Sequence, residues 1–264
     1  MTSSAAAGRR RRPLPTALVL LAGLMLTGLA YTALGGGDRA RAEDAASSTQ
    51  IEAGRKLFEV GCSSCHGLMA QGGSQAPSLI GVGAAAVDFQ VSTGRMPLAA
   101  QGPQAPRKPS RYTAEETAAL AAYVASLGGG PSIPSAEELA GVADADLAAG
   151  GELFRTNCAS CHNFAGRGGA LTHGKYAPAL QEADARQIYE AMLTGPENMP
   201  VFSDKQLTAE DKLSIIRYIK HLDAQKDPGG LGLLRLGPIP ETIVVFLVGM
   251  VLCVIICLWI GART

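Results

Sequence analysis

The sequence predicts a mainly α protein: two tandem helical domains, flanked on either side by an apolar helix long enough to span a membrane. Three observations carry that expectation. One segment recurs in order within the chain. Each copy ends in a helix-start signature followed by apolar residues at helical spacing. Two uncharged apolar runs, residues 14–34 and 242–260, bracket the copies.

The repeat has many landmarks. A-G-R-K-L-F-E-V-G-C-S-S-C-H, from Ala53 to His66, matches A-G-G-E-L-F-R-T-N-C-A-S-C-H, from Ala149 to His162. Downstream, Ala76-Pro77-Ser78-Leu79 answers Ala177-Pro178-Ala179-Leu180, and Met96-Pro97 answers Met199-Pro200. Last, Thr113-Ala114-Glu115-Glu116 answers Thr208-Ala209-Glu210-Asp211. Order kept over that many matches marks a duplicated domain. Thr113 with Glu116, and Thr208 with Asp211, have the spacing of a capping box. Leu120, Tyr123, Val124 and Leu127 follow the first; Ile215, Ile216, Ile219 and Leu222 follow the second. Gly-rich loops fill the middle of each copy, and no strand run stands out. The resulting domains are 51–127 and 149–222. Residues 128–148, rich in Gly, Pro and acidic side chains, read as a hinge.

The ends read as membrane segments. About 20 apolar residues cross a bilayer as a helix. Residues 14–34 follow arginines at positions 9–12, which fixes a cytoplasmic amino terminus (1–13) under the positive-inside rule. The second span, 241–261, then returns the chain to the cytoplasm. Everything between, including linkers 35–50 and 223–240, lies on the outer face. A cleaved signal peptide is the rival reading of the first run, because Ala40-Arg41-Ala42 has the form signal peptidase favours. The formal net charge of zero gives no reason to expect a nucleic-acid partner.

Six cysteines are present. Cys253 and Cys257 lie in the second apolar run, where small packing residues are expected. The other four form two C-x-x-C-H motifs. Small exported domains usually need a staple beyond their own core, and aromatics make up only 5% of this chain. A flat apolar cofactor, covalently attached, would serve. C-x-x-C-H is the attachment motif of c-type haem: Cys62 and Cys65, and Cys158 and Cys161, form thioethers to two haems, and His66 and His162 ligate the irons. A redox dithiol does not need the histidine, and a zinc site would need a second ligand pair in each unit.

Met96 and Met199, each followed by proline at matched places, are the expected second axial ligands. A Met/His pair raises the potential of a haem iron. Met69 is too near His66 to reach across the ring, and Met192 has no counterpart. His173 and His221 are expected on the surface. With both axial positions filled, neither iron has room for a substrate. The Pro77 and Pro178 carbonyls are candidates to orient the histidines, with a plain turn as the other reading.

These residues carry a resemblance. Each repeat resembles a class I cytochrome c domain. The full layout resembles the dihaem cytochrome c (cc) subunit of actinobacterial-type cytochrome bcc complexes. That resemblance implies a membrane-anchored electron carrier within a menaquinol-oxidising respiratory complex, a quinol–cytochrome c oxidoreductase. Its implied partners are the cytochrome b and Rieske iron–sulfur subunits and the copper-containing subunit of a haem–copper terminal oxidase. It implies relay from the Rieske protein to that copper centre, and an isolated chain with no substrate site of its own. The dihaem subunit of a cbb-type oxidase is the nearest alternative; a dihaem peroxidase or a dehydrogenase-associated cytochrome is another. The copies differ at residues 97–112, a Pro-rich insertion with Arg107, Lys108 and Arg111, read either as a disordered loop or as a docking arm for a neighbouring subunit.

Overall fold

The computed structural model describes residues 13–34, 48–225, 229, 232–235 and 238–263. The basic run at 9–12, the Ala40-Arg41-Ala42 site, most of linker 35–50 and part of linker 223–240 lie outside the described residues. The chain divides into two units, Met1–Ser47 and Ser48–Thr264. In the first, α1 (Pro13–Leu34) is a helix of 22 residues whose stretch Leu18–Leu29 is apolar and exposed.

The second unit contains the duplication. Helices α2 (Ser48–Gly61), α3 (Ser63–His66), α4 (Ala84–Ser92) and α5 (Ala114–Ser126) make the first domain. After α6 (Ala136–Ala140), helices α7 (Leu147–Asn157), α8 (Ala159–His162), α9 (Ala185–Thr194) and α10 (Ala209–Ala224) repeat the order. Between α8 and α9, β1 (Gly169–Ala170) pairs antiparallel with β2 (Tyr176–Ala177), the one short ribbon among the described residues.

In each domain the first helix crosses the last. The crossing works only because a glycine sits at the contact. A Cβ at Gly54 would lie 1.9 Å from the Ala119 carbonyl oxygen, and one at Gly150 would lie 2.0 Å from that of Ser214. Beside each glycine an aromatic pair closes the crossing: Phe58 against Tyr123 at 5.3 Å between centroids, Phe154 against Tyr218 at 5.5 Å. Phe58, Leu120 and Val124 centre one core; Phe154, Ile215 and Ile216 centre the other. Both expected capping boxes form. Glu116 N–H donates to Thr113 Oγ1 (3.2 Å) and Thr113 N–H to the Glu116 carboxylate (2.8 Å); Asp211 and Thr208 do the same at 3.2 and 2.9 Å.

Three features differ from the sequence reading. First, residues 128–148 are not a free hinge. Ser135 and Glu138 cap α6, Ile133 packs on the first core, and Leu139 and Val142 pack on the second. Second, α4 and α9 were not expected, and they pack against each other to join the domains. Third, the 97–112 insertion docks on the second domain. Gln104 makes two 2.9 Å hydrogen bonds with the Tyr176 backbone, and Ala105 N–H donates to Glu197 Oε1 at 2.9 Å. Arg107 donates to Gln187 Oε1 at 3.0 Å. Gln104 thus pairs with the backbone of β2 as a neighbouring strand would.

At the other end, α11 (Pro238–Val244), a π-helical stretch (Val245–Met250) and α12 (Val251–Gly261) run on as one helix. It has 24 residues, its apolar stretch is unburied, and it is the one helix among the described residues long and apolar enough to cross a membrane.

The α4–α9 contact buries carboxyls. Asp88 is 4% exposed and Glu190 0%; Arg186 Nε lies 3.4 Å from Asp88 Oδ2, and neither Glu190 oxygen has a hydrogen-bond partner. Burial, and then the nearby Asp88 charge, pushes the Glu190 carboxyl up to about 9. The folded state therefore holds a proton there that the unfolded state releases, and stability falls as pH rises from the ordinary carboxylate range toward 9. Glu190→Gln removes that loss. We expect its thermal midpoint to exceed the parent's by about 2–4 °C at pH 8, with the gain vanishing near pH 5, as read by calorimetry.

Candidate functional site

Each C-x-x-C-H motif forms a single helical turn directly after a long helix. Cys62 N–H donates to Phe58 O (2.9 Å) and Cys158 N–H to Phe154 O (2.9 Å), so the turn grows from the core aromatic. His66 N–H then donates to Cys62 O (3.0 Å) and His162 N–H to Cys158 O (2.9 Å). The turn leaves Cys65 and Cys161 exposed and lays Cys62 and Cys158 against the cores. None of the four is in a disulfide. Burial, then the adjacent Cys65, pushes the Cys62 thiol up to about 11; burial, then Cys161, does the same for Cys158. The raised Cys62 and Cys158 thiols run opposite to the lowered pKa that activates a redox cysteine.

The histidines are aimed by backbone. His66 Nδ1 lies 2.9 Å from Pro77 O, and His162 Nδ1 lies 2.9 Å from Pro178 O. A carbonyl can only accept, so Nδ1 carries the proton and Nε2 keeps its lone pair. For His162, burial lowers the pKa, partly opposed by the Pro178 bond, which favours the neutral ring a metal needs. The Pro carbonyls are held in place through glycine. Gly72 N–H donates to His66 O (2.7 Å) and Gly168 N–H to His162 O (2.9 Å). Both glycines have φ of +81°, and a Cβ at Gly168 would lie 2.4 Å from Ala177 O.

The methionines come from the loop after the middle helix. Met96 packs on the first core, and its loop is pinned by Lys108, whose ammonium binds the Gly94, Arg95 and Pro97 carbonyls. Met199 follows the left-handed Gly195 that ends α9. In the second domain a cavity of about 370 Å³ is lined together by Cys158, Cys161, His162 and Met199. Its other walls are mostly apolar, with Ile188, Ile215 and Phe202 among them. Four residues of the first domain, Phe89, Arg95, Gln104 and Arg107, also line it. Sequence reading named Arg107 within the insertion but assigned none of the four to this site. The unmatched insertion at 97–112 was the available signal for two of them, but it gave no destination.

The remaining candidates fall where expected. His173 and His221 are exposed, Met69 is 70% exposed, and Met192 is buried in the second core. Among the described residues no group of three or more His, Cys, Asp or Glu is placed to hold a metal ion.

Two cysteines and a backbone-oriented histidine on one turn, with a methionine facing the same apolar cavity, fit a covalently attached haem. The cavity is seen in the second domain; the turn with its two cysteines and carbonyl-held histidine occurs in both, and with the fold it defines a c-type cytochrome with two such domains. A family model described as Cytochrome c matches residues 51–128, and one described as Cytochrome C oxidase, cbb3-type, subunit III matches residues 145–219. Along the whole chain, the "Cytochrome bc1 complex cytochrome c subunit" of Corynebacterium diphtheriae is 45% identical over 268 residues, covering 96% of this chain and 95% of that protein. Its namesake in Mycobacterium tuberculosis is 46% identical over 264 residues, covering 97% and 93%. That of Corynebacterium efficiens is 44% identical, covering 96% and 90%. The chain belongs to this family of cytochrome c subunits of cytochrome bc complexes, and its cytochrome c domains imply covalently bound haem c.

The glycine-held carbonyl gives a test. Gly168→Val puts side-chain atoms into the Ala177–Pro178 backbone and should release His162. We expect a partial loss of the low-spin reduced α-band, with thioether attachment still visible by mass. Unchanged spectra would show that the Pro178 bond does not orient the ligand.

Proposed function

We propose that the chain is the electron-relay subunit of a respiratory menaquinol-oxidising complex and carries two haems. Cys62, Cys65, His66 and Met96 would hold one, and Cys158, Cys161, His162 and Met199 would hold the other. The observation that carries this reading is the duplicated turn: each copy has two thiols, an imidazole fixed by a proline carbonyl, and a methionine on the facing loop. When bound, haem c supplies a one-electron ferric/ferrous couple.

The chain's own residues do the rest. The Pro77 and Pro178 carbonyls fix the tautomer of His66 and His162 and strengthen them as donors. Lys108 holds the Met96 loop closed. A histidine and a methionine at each site would leave no room for a substrate and would confine the chemistry to electron transfer. The α4–α9 contact and the 97–112 arm keep the domains together, so transfer between them needs no diffusive search.

On this reading the chain passes electrons from a Rieske iron–sulfur protein to the copper centre of a terminal oxidase, alongside a cytochrome b subunit. The helix Pro238–Gly261 and α1 both anchor it. Arginines at 9–12 place the amino terminus in the cytoplasm and the cytochrome domains on the outer face. The cbb3-type match over residues 145–219 favours a second reading, a dihaem oxidase subunit, but that match spans one domain whereas the relatives above span the chain. Purification in mild detergent separates the two readings: cytochrome b and Rieske subunits in the eluate support the first, and a cbb-type catalytic subunit supports the second.

The ligand assignment predicts that Met96→Leu and Met199→Leu each lower one midpoint and spare the other. The drop should be on the order of 0.1 V, within the ~0.8 V range that axial ligands control. Intact mass should exceed the polypeptide's by two porphyrins. Carbon monoxide should leave the reduced parent spectrum unchanged and shift it in either variant. Two unmoved midpoints would overturn the assignment.

A further inference from the structure

The cavity that holds Cys158, Cys161, His162 and Met199 has an asymmetric charge lining. Its two guanidinium groups, Arg95 and Arg107, both come from the first domain. The second domain contributes Glu182 and Glu197 to the lining but no lysine or arginine. Arg95 is 7% exposed, and its Nη1 is buried without a hydrogen-bond partner. Its guanidinium stacks 4.8 Å from the centroid of Phe89, another residue of the lining. Burial, then repulsion from Arg107, lowers its pKa. A buried guanidinium with an unused donor and a cationic neighbour is costly unless an anion meets it. Glu197 is the near carboxylate, but one of its oxygens already accepts from Ala105 N–H.

Resting on the reading that this cavity holds the second haem, we propose that Arg95 and Arg107 of the first domain hold that haem's two propionate carboxylates. Haem has two anionic groups at its edge, and the lining offers two cations. Guanidinium and carboxylate match in planar, two-point geometry, which a lysine would not reproduce. The cost of burying Arg95 is then met by the cofactor itself. The assignment also accounts for the difference between the repeats. Arg107 lies in the 97–112 insertion, which has no equivalent after Met199, and Arg95 sits where that arm departs, next to the Lys108 clamp. The first domain would thereby complete the second domain's site and set its potential. Arg95 and Arg107 are positioning residues, because neither touches the iron.

The test uses the full chain purified in its membrane complex. Wild type is weighed first: a single porphyrin would overturn the two-haem reading and this assignment with it, before any variant is made. Arg95→Gln, Arg107→Gln, their double variant and Arg95→Lys are then titrated optically against ambient potential, with pyridine haemochrome used to count attached haem. The wave displaced by Met199→His marks the second haem. Removing cations that stabilise ferrous iron should move that wave downward in the double variant. The expected change is about tenfold in the ferric-to-ferrous ratio at fixed potential, or about 59 mV for one electron, with the other wave still. Arg95→Lys should recover part of the shift. An unmoved second wave, or equal movement of both waves, overturns the proposal. Should Arg95→Gln instead lose the second haem, Arg186→Gln decides the matter, since it breaks the ion pair to Asp88 at the same domain contact without lining the cavity. Haem loss confined to the Arg95 and Arg107 variants supports propionate capture; equal loss in Arg186→Gln overturns it in favour of a purely structural contact.

Discussion

The hydrogen bond between His162 Nδ1 and the Pro178 carbonyl, with its twin from His66 to Pro77, is the interaction on which both sites depend. An imidazole on a one-turn helix is free to rotate about two bonds, and thioether attachment nearby does not by itself fix its plane. The carbonyl does. It selects the tautomer, leaves Nε2 as the lone-pair donor and holds the ring edge-on to the loop. That carbonyl can sit at 2.9 Å only because the chain approaches Gly72 and Gly168 more closely than any side chain permits. The geometry of each site is thus written into a glycine several residues from the motif itself.

The same economy shapes the domains. Their first and last helices touch backbone to backbone at Gly54 and Gly150, with Phe58 and Phe154 filling the wedge beside the contact. Such a crossing packs two helices tightly and leaves the other side of the domain to be lined separately. In the second domain that side is the cavity bounded by Ile188, Ile215 and Phe202. A porphyrin of matching shape and polarity would supply the missing wall, which explains how a chain with so few aromatics builds two such small domains. The cavity is part of the fold's own design, since filling it completes the core.

Much of this was legible in the sequence. The repeat placed both motifs, both methionines and both terminal helices, and Thr113 and Thr208 marked helix starts that the capping boxes bear out. The candidate orienting carbonyls were also visible, as Ala-Pro-x-Leu at matched positions. What escaped was the middle of each domain. Helix α4 begins at Gly83 with no side-chain cap, and Val87, Asp88, Phe89 and Val91 are all buried, so no polar face announces a helix. Helix α9 did carry a readable start, Asp184 with Gln187 three residues on, followed by Ile188 and Met192. The 97–112 insertion looked like solvent-exposed chain because its Pro, Gln and Arg content is that of a loop. Its contacts are backbone and amide hydrogen bonds to a partner 72 to 92 residues away in sequence, and no local pattern encodes such a distance. The packing of residues 128–148 escaped for a related reason: Gly and Pro mark where a chain turns, but they do not show whether Ile133, Leu139 and Val142 then find a core to pack on.

These long-range contacts change how the two halves should be regarded. A flexible link would give each domain its own orbit and make transfer between them a matter of encounter. Instead, α4 lies on α9, residues 128–148 are packed on both cores, and the insertion closes over the second cavity. The two copies share the C-x-x-C-H turn, and the insertion that distinguishes them fastens one to the other. For a carrier built to pass single electrons in series, a fixed separation outweighs mobility, because transfer through protein weakens steeply with distance while a rigid pair holds that distance at every turnover. On the proposed reading, movement is then needed only at the two ends of the relay, where electrons enter from and leave to other subunits.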